Sequence, residues 1–446
     1  MNVSVAFGKG ELPLALPDGF HYEVIRARSA QPLANVRQAL EAALAYPTGG
    51  PPLAELAAGK KSAAIAVCDI TRPAPNAATL PPLLEVLRRA GIPPAGIAIV
   101  IATGLHRPAT PEELALILGP DIVARCRIVN HDARDLAAHR SLGNTLRGTP
   151  VLIDECFMAA DLHITLGLIE PHLMLGFSGG RKLIAPGMAA QQTIKTIHSP
   201  SFMREERATE GSIEQNPLHR ELLEIACMAR HDFVLDVTLT PARRISGIFA
   251  GDPLQAHRAG VTFLLASSAV YLDKPVDAVI TSSAGFPLDL TFYQTIKGIT
   301  AAQHILRPGG RILLLGQCRE GIGSAEFAAK LSRYRGAQPY LDEIRDAPVE
   351  VDQWQLEKLA LVERKHPVLL YVPGAAREGL GSLAARCFGS PRAAIDALLG
   401  GLPANARVAV IPDGPYTFAR CAGEQGPENC LAQETGNELL TPRAAP

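Results

Sequence analysis

Along the chain, short apolar runs alternate with segments whose apolar residues recur at helical spacing. Residues 62–68, Ser-Ala-Ala-Ile-Ala-Val-Cys, form a run bounded by polar residues, the pattern of a buried strand. It empties into Asp69-Ile-Thr71-Arg72-Pro73, and a helical pattern follows over 77–90. A second run at 95–102 empties into Thr103-Gly104-Leu-His106-Arg107-Pro108. Thr110-Pro111-Glu112-Glu113 then opens a helix, because proline suits the first turn and the acids suit its dipole. A third strand over 127–130 ends on His131-Asp132. Upstream, 2–7 and 21–26 read as edge strands and 32–45 as a helix.

The rhythm continues downstream. Residues 189–198 read as a short helix stopped by Pro200, and 204–216 as a charged loop without a core role. Paired strands over 233–239 and 244–250 precede a helix over 252–268. After a break at 270–274 the pattern restarts with a strand at 276–281, a helix at 292–306 and a strand at 310–315. Helices at 324–334 and 353–364 and strands at 367–372 and 407–411 follow. From Cys421 onward the chain turns polar and reads as a loose tail. Strands alternating with helices predict parallel βαβ units and an α/β fold. The break divides the chain into 1–270 and 271–446, and 446 residues exceed one ordinary core. In such sheets ligands sit beyond the carboxyl ends of the strands, where the clusters at 69–72, 106–107 and 131–132 all lie.

Composition narrows the partners. A net charge of −1 argues against bulk attraction to nucleic acid or anionic membranes, so a small anion would be met by local basic groups. No apolar run reaches bilayer length, and the N-terminus lacks a basic region followed by an apolar one. Eight scattered cysteines without a C-x-x-C argue against a zinc ribbon, an iron–sulfur site or a disulfide framework. The expectation is a cytoplasmic protein in a reducing compartment.

Candidate chemistry concentrates in one stretch, Glu170-Pro171-His172 through Gly176-Phe-Ser178-Gly179-Gly180-Arg181-Lys182 to His198. Its glycines permit a tight loop, and the short helix returns His198 toward it. It is not a Walker A loop, since Leu183 stands where Ser or Thr is required, and G-x-G-x-x-G spacing is absent. A tight turn with two incidental histidines is the plain alternative. In another, His172 and His198 bind a divalent metal with a carboxylate such as Asp69 or Glu170, for hydrolysis or dehydration. A non-catalytic carrier of nickel or a nucleotide is a third. Further on, Tyr293, Gln294 and Lys297 share the start of a helix, which is either solvated or grips an anion across a cleft. His106 and Arg72 have structural alternatives in a backbone-bonded turn and a salt bridge. His131, His163, His219, His257 and His304 read as structural or surface residues.

These pieces resemble the nickel-pincer-nucleotide-dependent lactate racemase family of 2-hydroxyacid racemases and epimerases. The shared motifs are Asp69-x-Thr71-Arg72-Pro73, Thr103-Gly104-x-His106-Arg107, Pro171-His172 with Gly176 to Lys182, His198, and Tyr293-Gln294-x-x-Lys297, spanning about 60–300. The resemblance implies two α/β domains with the site between them. It implies a nickel-pincer nucleotide: a pyridinium mononucleotide (pyridinium-3-thioamide-5-thiocarboxylic acid) whose sulfur-bearing arms hold nickel. Lys182 would carry it covalently and His198 would be the protein's nickel ligand. His106 and His172 would be the acid/base pair, and Arg72 and Lys297, with Tyr293 and Gln294, would hold the substrate carboxylate. Asp69, Thr71, Ser178 and Gly179 would lie along the nucleotide. The partners implied are the 2-hydroxyacid and the proteins that build the cofactor and insert nickel.

The residue types suit that chemistry. A C2 proton beside an ionised carboxylate is very weakly acidic, so hydride removal is the easier route, and it needs an acceptor that side chains do not supply. Imidazole suits the hydroxyl proton, one histidine for each enantiomer, and arginine suits a planar carboxylate. Leu173, Met174, Leu175 and Phe177, with Phe286 or Leu288 opposite, would give an apolar wall favouring a short or medium apolar side chain.

Overall fold

The computed structural model describes residues 1–422. Its frame is two sheets. In the first, the strands run in the order Ile245–Gly251, Phe233–Leu239, Leu162–Leu168, Ala63–Cys68, Ile97–Ala102, Arg127–Asn130. All neighbours are parallel except the Ile245–Gly251 edge. The pleat explains why these strands are apolar throughout. Ala63, Ile65 and Val67 enter one core and Ala64, Ala66 and Cys68 the core on the opposite face.

The chain leaves Ala63–Cys68 toward Ile97–Ala102 on one side and later returns to place Leu162–Leu168 on the other. The order reverses there, so a crevice opens between the loops after Cys68 and after Leu168. Those loops carry Arg72 and His172.

The second sheet is parallel, in the order Val368–Tyr371, Leu306–Leu315, Val276–Ser282, Arg407–Ile411, His21–Val24. It too is cored on both faces, with Ile312 and Leu314 on one side and Leu313 and Leu315 on the other. Its edge corrects part of the expected arrangement. His21–Val24 pairs with Arg407–Ile411, and Val3, Val5 and Leu14 of the preceding hairpin pack on the same sheet. The first 25 residues therefore lie with the second sheet, through a pairing that local pattern cannot reveal. With that exception, we propose the division near 270.

Other elements also depart from the sequence pattern. The central strand Leu162–Leu168 is absent from that pattern, because His163, Thr165 and Gly167 interrupt its apolar run. Buried in the sheet, His163 bonds Asp232 through Nδ1 and Thr165 bonds His231 through its hydroxyl. The hairpin His139–Asn144/Pro150–Asp154 and the helices Pro217–Met228 and Pro391–Leu399 are further additions. The 204–216 segment does have a core role: Lys358 donates to the carbonyls of Met203 and Ala208, and Arg420 to that of Glu210. It thereby joins the two halves. Ala419–Cys421 is a strand beside Val270–Leu272, and the remainder of the expected tail, from 423, lies outside the described residues. Among the described residues, no helix is long and apolar enough to cross a membrane.

Candidate active site

The sequence-nominated residues converge. Asp69, Thr71, Arg72, His106, His172, Ser178, Gly179, Lys182, His198, Tyr293, Gln294 and Lys297 all border one cavity of about 150 Å³ between the two halves.

On the first sheet, the exits of two adjacent strands are wired together. The His106 Nδ1–H donates to Asp69 Oδ2 at 2.6 Å, and Thr71 donates its hydroxyl to Asp69 Oδ1 at 2.6 Å. Burial pushes the Asp69 carboxyl up, but His106, Thr71 and Arg72 outweigh it and hold it below the usual carboxylate range. The His106 side chain is 44 % exposed, so its ring faces the open side of the cavity. The Asp69 carboxylate is thus shared between His106 and the Thr71 hydroxyl. Arg72 Nε lies 3.1 Å from Glu170 Oε1, yet its N–H makes no aligned hydrogen bond. The ion pair holds the guanidinium in place and leaves that donor for a better-placed acceptor.

The loop from Glu170 to Lys182 folds as its glycines require. Gly176 has φ +77°, and a Cβ there would lie 2.0 Å from the Ser212 carbonyl oxygen. Gly176→Ala is expected to cost about 2–4 kcal/mol through left-handed strain and overpacking. A urea midpoint equal to the parent's would contradict this. Beneath the loop, buried Arg181 donates to the carbonyls of Leu175 and Phe177 at 3.1 and 3.0 Å. Asp236 accepts from the Gly180 N–H at 3.2 Å. Ser178 donates to the Leu168 carbonyl at 2.6 Å, so its hydroxyl proton is used inside the loop. These bonds fix the backbone on either side of Lys182.

Three buried bases result. Burial, with Arg72 nearby, brings the Lys182 ammonium down to about 8. His198 ends the helix Gln191–Ile197 and its Nδ1–H donates to the Ile194 carbonyl at 2.8 Å, which leaves the Nε2 lone pair free of that proton. Burial brings it down to about 4, so it is neutral at pH 7. Burial, with Lys182 and Arg72, also pushes His172 well below the ordinary histidine range. Its Nδ1 accepts from the Met174 and Leu175 N–H groups at 3.4 and 3.3 Å, so the neutral ring carries its proton on Nε2.

The second half supplies the opposite wall. Tyr293, Gln294 and Lys297 stand at the start of the helix Phe292–Ala302, and burial, with Arg72 nearby, pushes Lys297 well below its ordinary value. Gln294 Oε1 is buried without a partner. Sequence reasoning missed Asp352, Trp354 and Gln355, which border the cavity from the start of the helix Gln353–Glu363. Trp354 packs on His198 at 4.5 Å between ring centroids and donates its indole N–H to the Tyr293 oxygen at 3.3 Å. As the chain's single tryptophan, it is the available signal in a third of the sequence whose motifs otherwise match only loosely. Of the expected apolar wall, Leu173, Met174 and Leu175 border the cavity. Phe177 does not: it packs in a core against Phe418. Phe286 lies under Lys9 and Arg319 instead.

Over most of its length the chain is also similar to known proteins. The family profile of the lactate racemase N-terminal domain matches residues 7–211, and that of the lactate racemase C-terminal domain matches 272–417. Over 428 residues the chain is 32% identical to a lactate racemase of Thermoanaerobacterium thermosaccharolyticum, covering 94% of this chain and 99% of the relative. A lactate racemase of Lactiplantibacillus plantarum is 36% identical over 337 residues, covering 75% of this chain and 79% of the relative. Among solved structures, the T. thermosaccharolyticum lactate racemase apoprotein superposes with a TM-score of 0.85 at 31% identity, over 94% of this chain and all of that one. A Thermotoga maritima protein with a TM-score of 0.65 at 17% identity, covering 88% of this chain and 99% of its own, shares the fold.

Proposed function

Because the chain belongs to the lactate racemase family and is an isomerase, we propose that it inverts C2 of a 2-hydroxyacid, lactate first, with a nickel-pincer nucleotide held at Lys182. The observation that carries this reading is the convergence on one cavity of a buried lysine, a neutral histidine with an open Nε2, two further histidines, the Arg72 guanidinium and the Lys297 amine.

The residues present fit the cofactor. Lys182 is a buried amine whose lowered basicity favours a nucleophilic, neutral form. His198 offers imidazole as a ligand while the Ile194 carbonyl fixes its tautomer, the usual second partner of a metal-bound histidine. When bound, the group supplies the hydride acceptor that no side chain provides.

This chain's own residues do the rest. Arg72 Nε takes the substrate carboxylate, and Lys297 and Gln294 complete that end. His106 accepts the hydroxyl proton at Nε2, because Asp69 keeps the other proton on Nδ1. His172 is set the opposite way, with its proton on Nε2 directed to the cavity. In the resting protein the His106 ring presents a lone pair that takes the hydroxyl proton and later returns it, and the neutral His172 ring presents an N–H that holds the substrate oxygen by a hydrogen bond, so inversion leaves no net redox or proton change. Tyr293 accepts from the Trp354 indole N–H, which fixes its ring on the cavity wall beside Asp352. The exposed position of His106 opens this end of the site to water.

The hydrolytic reading lacks a third ligand. Asp69 is engaged with His106 and Glu170 with Arg72, and among the described residues no three of His, Cys, Asp or Glu come together as a cage. A carrier would have no use for paired histidines of opposite tautomer.

Holoenzyme incubated separately with enantiopure lactate, 2-hydroxybutyrate, phenyllactate, malate, glycerate and gluconate should invert the short apolar acids best, as read by stereochemistry-resolving chromatography. Best turnover of malate or gluconate would overturn the apolar preference, and no inversion of any acid would overturn the function. Covalent loading should also depend on pH. A lysine near 8 gains neutral amine as pH rises through 8, so the rate of adduct formation should climb from pH 6 and level off near 9. An ordinary lysine would keep climbing through about 10.4. A rate still rising at pH 10 would contradict the lowered basicity of Lys182.

A further inference from the structure

Three spaces lie in a row behind Arg72 and Lys297. Arg72, His172 and Lys297 border the reaction cavity and also wall a smaller space of about 20 Å³. Glu170, Pro171 and Tyr416 border that space and also a third, of about 70 Å³, into whose walls Arg28 and Arg243 enter. Lys182 and His198 border the first space and neither of the others. A group held by those two residues would sit in the first space, and neither residue reaches the two smaller ones.

We propose that this row is the path by which the 2-hydroxyacid anion reaches the site, with Arg28 and Arg243 forming a carboxylate-recruiting vestibule and Glu170, Arg72 and Tyr416 its inner gate. The proposal rests on the function argued in the preceding section.

The charges favour anion entry. The vestibule wall carries two guanidiniums, Arg28 and Arg243, against one carboxylate, Glu170, which is paired with Arg72, and that excess of positive charge raises the local concentration of anions. Arg243 is held in place: it closes the turn after Phe233–Leu239 with φ +59°, and its guanidinium donates to the Phe286 carbonyl at 2.5 Å, across to the second half. At the gate, Glu170 lies 3.1 Å from Arg72 without an aligned bond. An arriving carboxylate can exchange for Glu170 at that guanidinium, so Arg72 keeps one anionic partner throughout. Glu210 also borders the middle space, but burial raises its carboxyl to about 7, which weakens its opposition to a passing anion.

The test uses holoenzyme and L-lactate, with stopped-flow fluorescence of Trp354, the single tryptophan, which borders the reaction cavity. In Arg28→Gln/Arg243→Gln, the association rate and kcat/KM should fall about tenfold at low ionic strength. The kcat should hold, and the deficit should vanish at high ionic strength. The Lys pair Arg28→Lys/Arg243→Lys should restore most of the rate, and adduct mass should match the parent in both variants. An association rate with the parent's value and salt dependence would overturn the proposal and leave entry to the open His106 side. Loss of the adduct in the Gln variant would also overturn it, by placing the nucleotide phosphate in the vestibule. A parent that binds L-lactate without inverting it would sink the function, while its association rates would still decide the path.

Discussion

Lys182→Ala, produced together with the cofactor's biosynthetic enzymes, is expected to show no added covalent mass and no inversion of any hydroxyacid. The expectation follows from the position of this side chain. Lys182 is the one lysine on the Gly176–Ile184 loop, it borders the reaction cavity, and burial has brought its amine down to about 8. No neighbouring side chain can take over, because Arg181 points away into the carbonyls of Leu175 and Phe177. Alanine removes the amine without adding bulk, so the fold should survive and the melting temperature should stay close to the parent's. Intact-mass spectrometry reads the adduct, and chiral chromatography reads the activity. Activity retained in Lys182→Ala would show that covalent attachment at this position is not required.

The second large effect is expected at the His106–Asp69 pair. His106→Ala should lower kcat by about 10²–10⁴, the usual range for one general acid/base group. Asp69→Asn is the sharper probe. An Asn amide can donate to Nδ1, which would move the ring proton to Nε2 and occupy the lone pair meant for the hydroxyl proton. A loss of about 10²–10³ in kcat is expected, with KM within a few-fold and the adduct intact. Asp69 contacts no reacting atom in this scheme; it is a positioning residue. An Asp69→Asn enzyme with a kcat within twofold of the parent would mean that the 2.6 Å contact does not set the tautomer.

Much of this site is legible in the amino-acid sequence, for a physical reason. In an open parallel sheet the strand exits converge, so the polar clusters after 68 and 102 must meet whatever their separation along the chain. Which side chains bond each other there is not encoded locally. The resemblance implies Asp69 as a nucleotide contact; its bond to His106, 37 positions away, is not written in any local pattern. Ser178 likewise spends its proton on Leu168. The strand Leu162–Leu168 is hidden by His163 and Thr165, whose partners Asp232 and His231 lie far along the chain. The first 25 residues join the second sheet by pairing with Arg407–Ile411, which no local pattern encodes. Asp352 and Trp354 reach the cavity only because their helix packs under Tyr293.

The most direct measurement starts from L-lactate deuterated at C2, incubated with holoenzyme in ordinary water. Inversion by reversible hydride transfer keeps the C2 hydrogen within the enzyme–substrate complex while His106 and His172 move the hydroxyl proton. The D-lactate formed should therefore retain deuterium at C2, as read by chiral chromatography with mass detection. D-lactate carrying solvent hydrogen at C2 would contradict the mechanism, and L-lactate recovered unchanged would contradict the function itself.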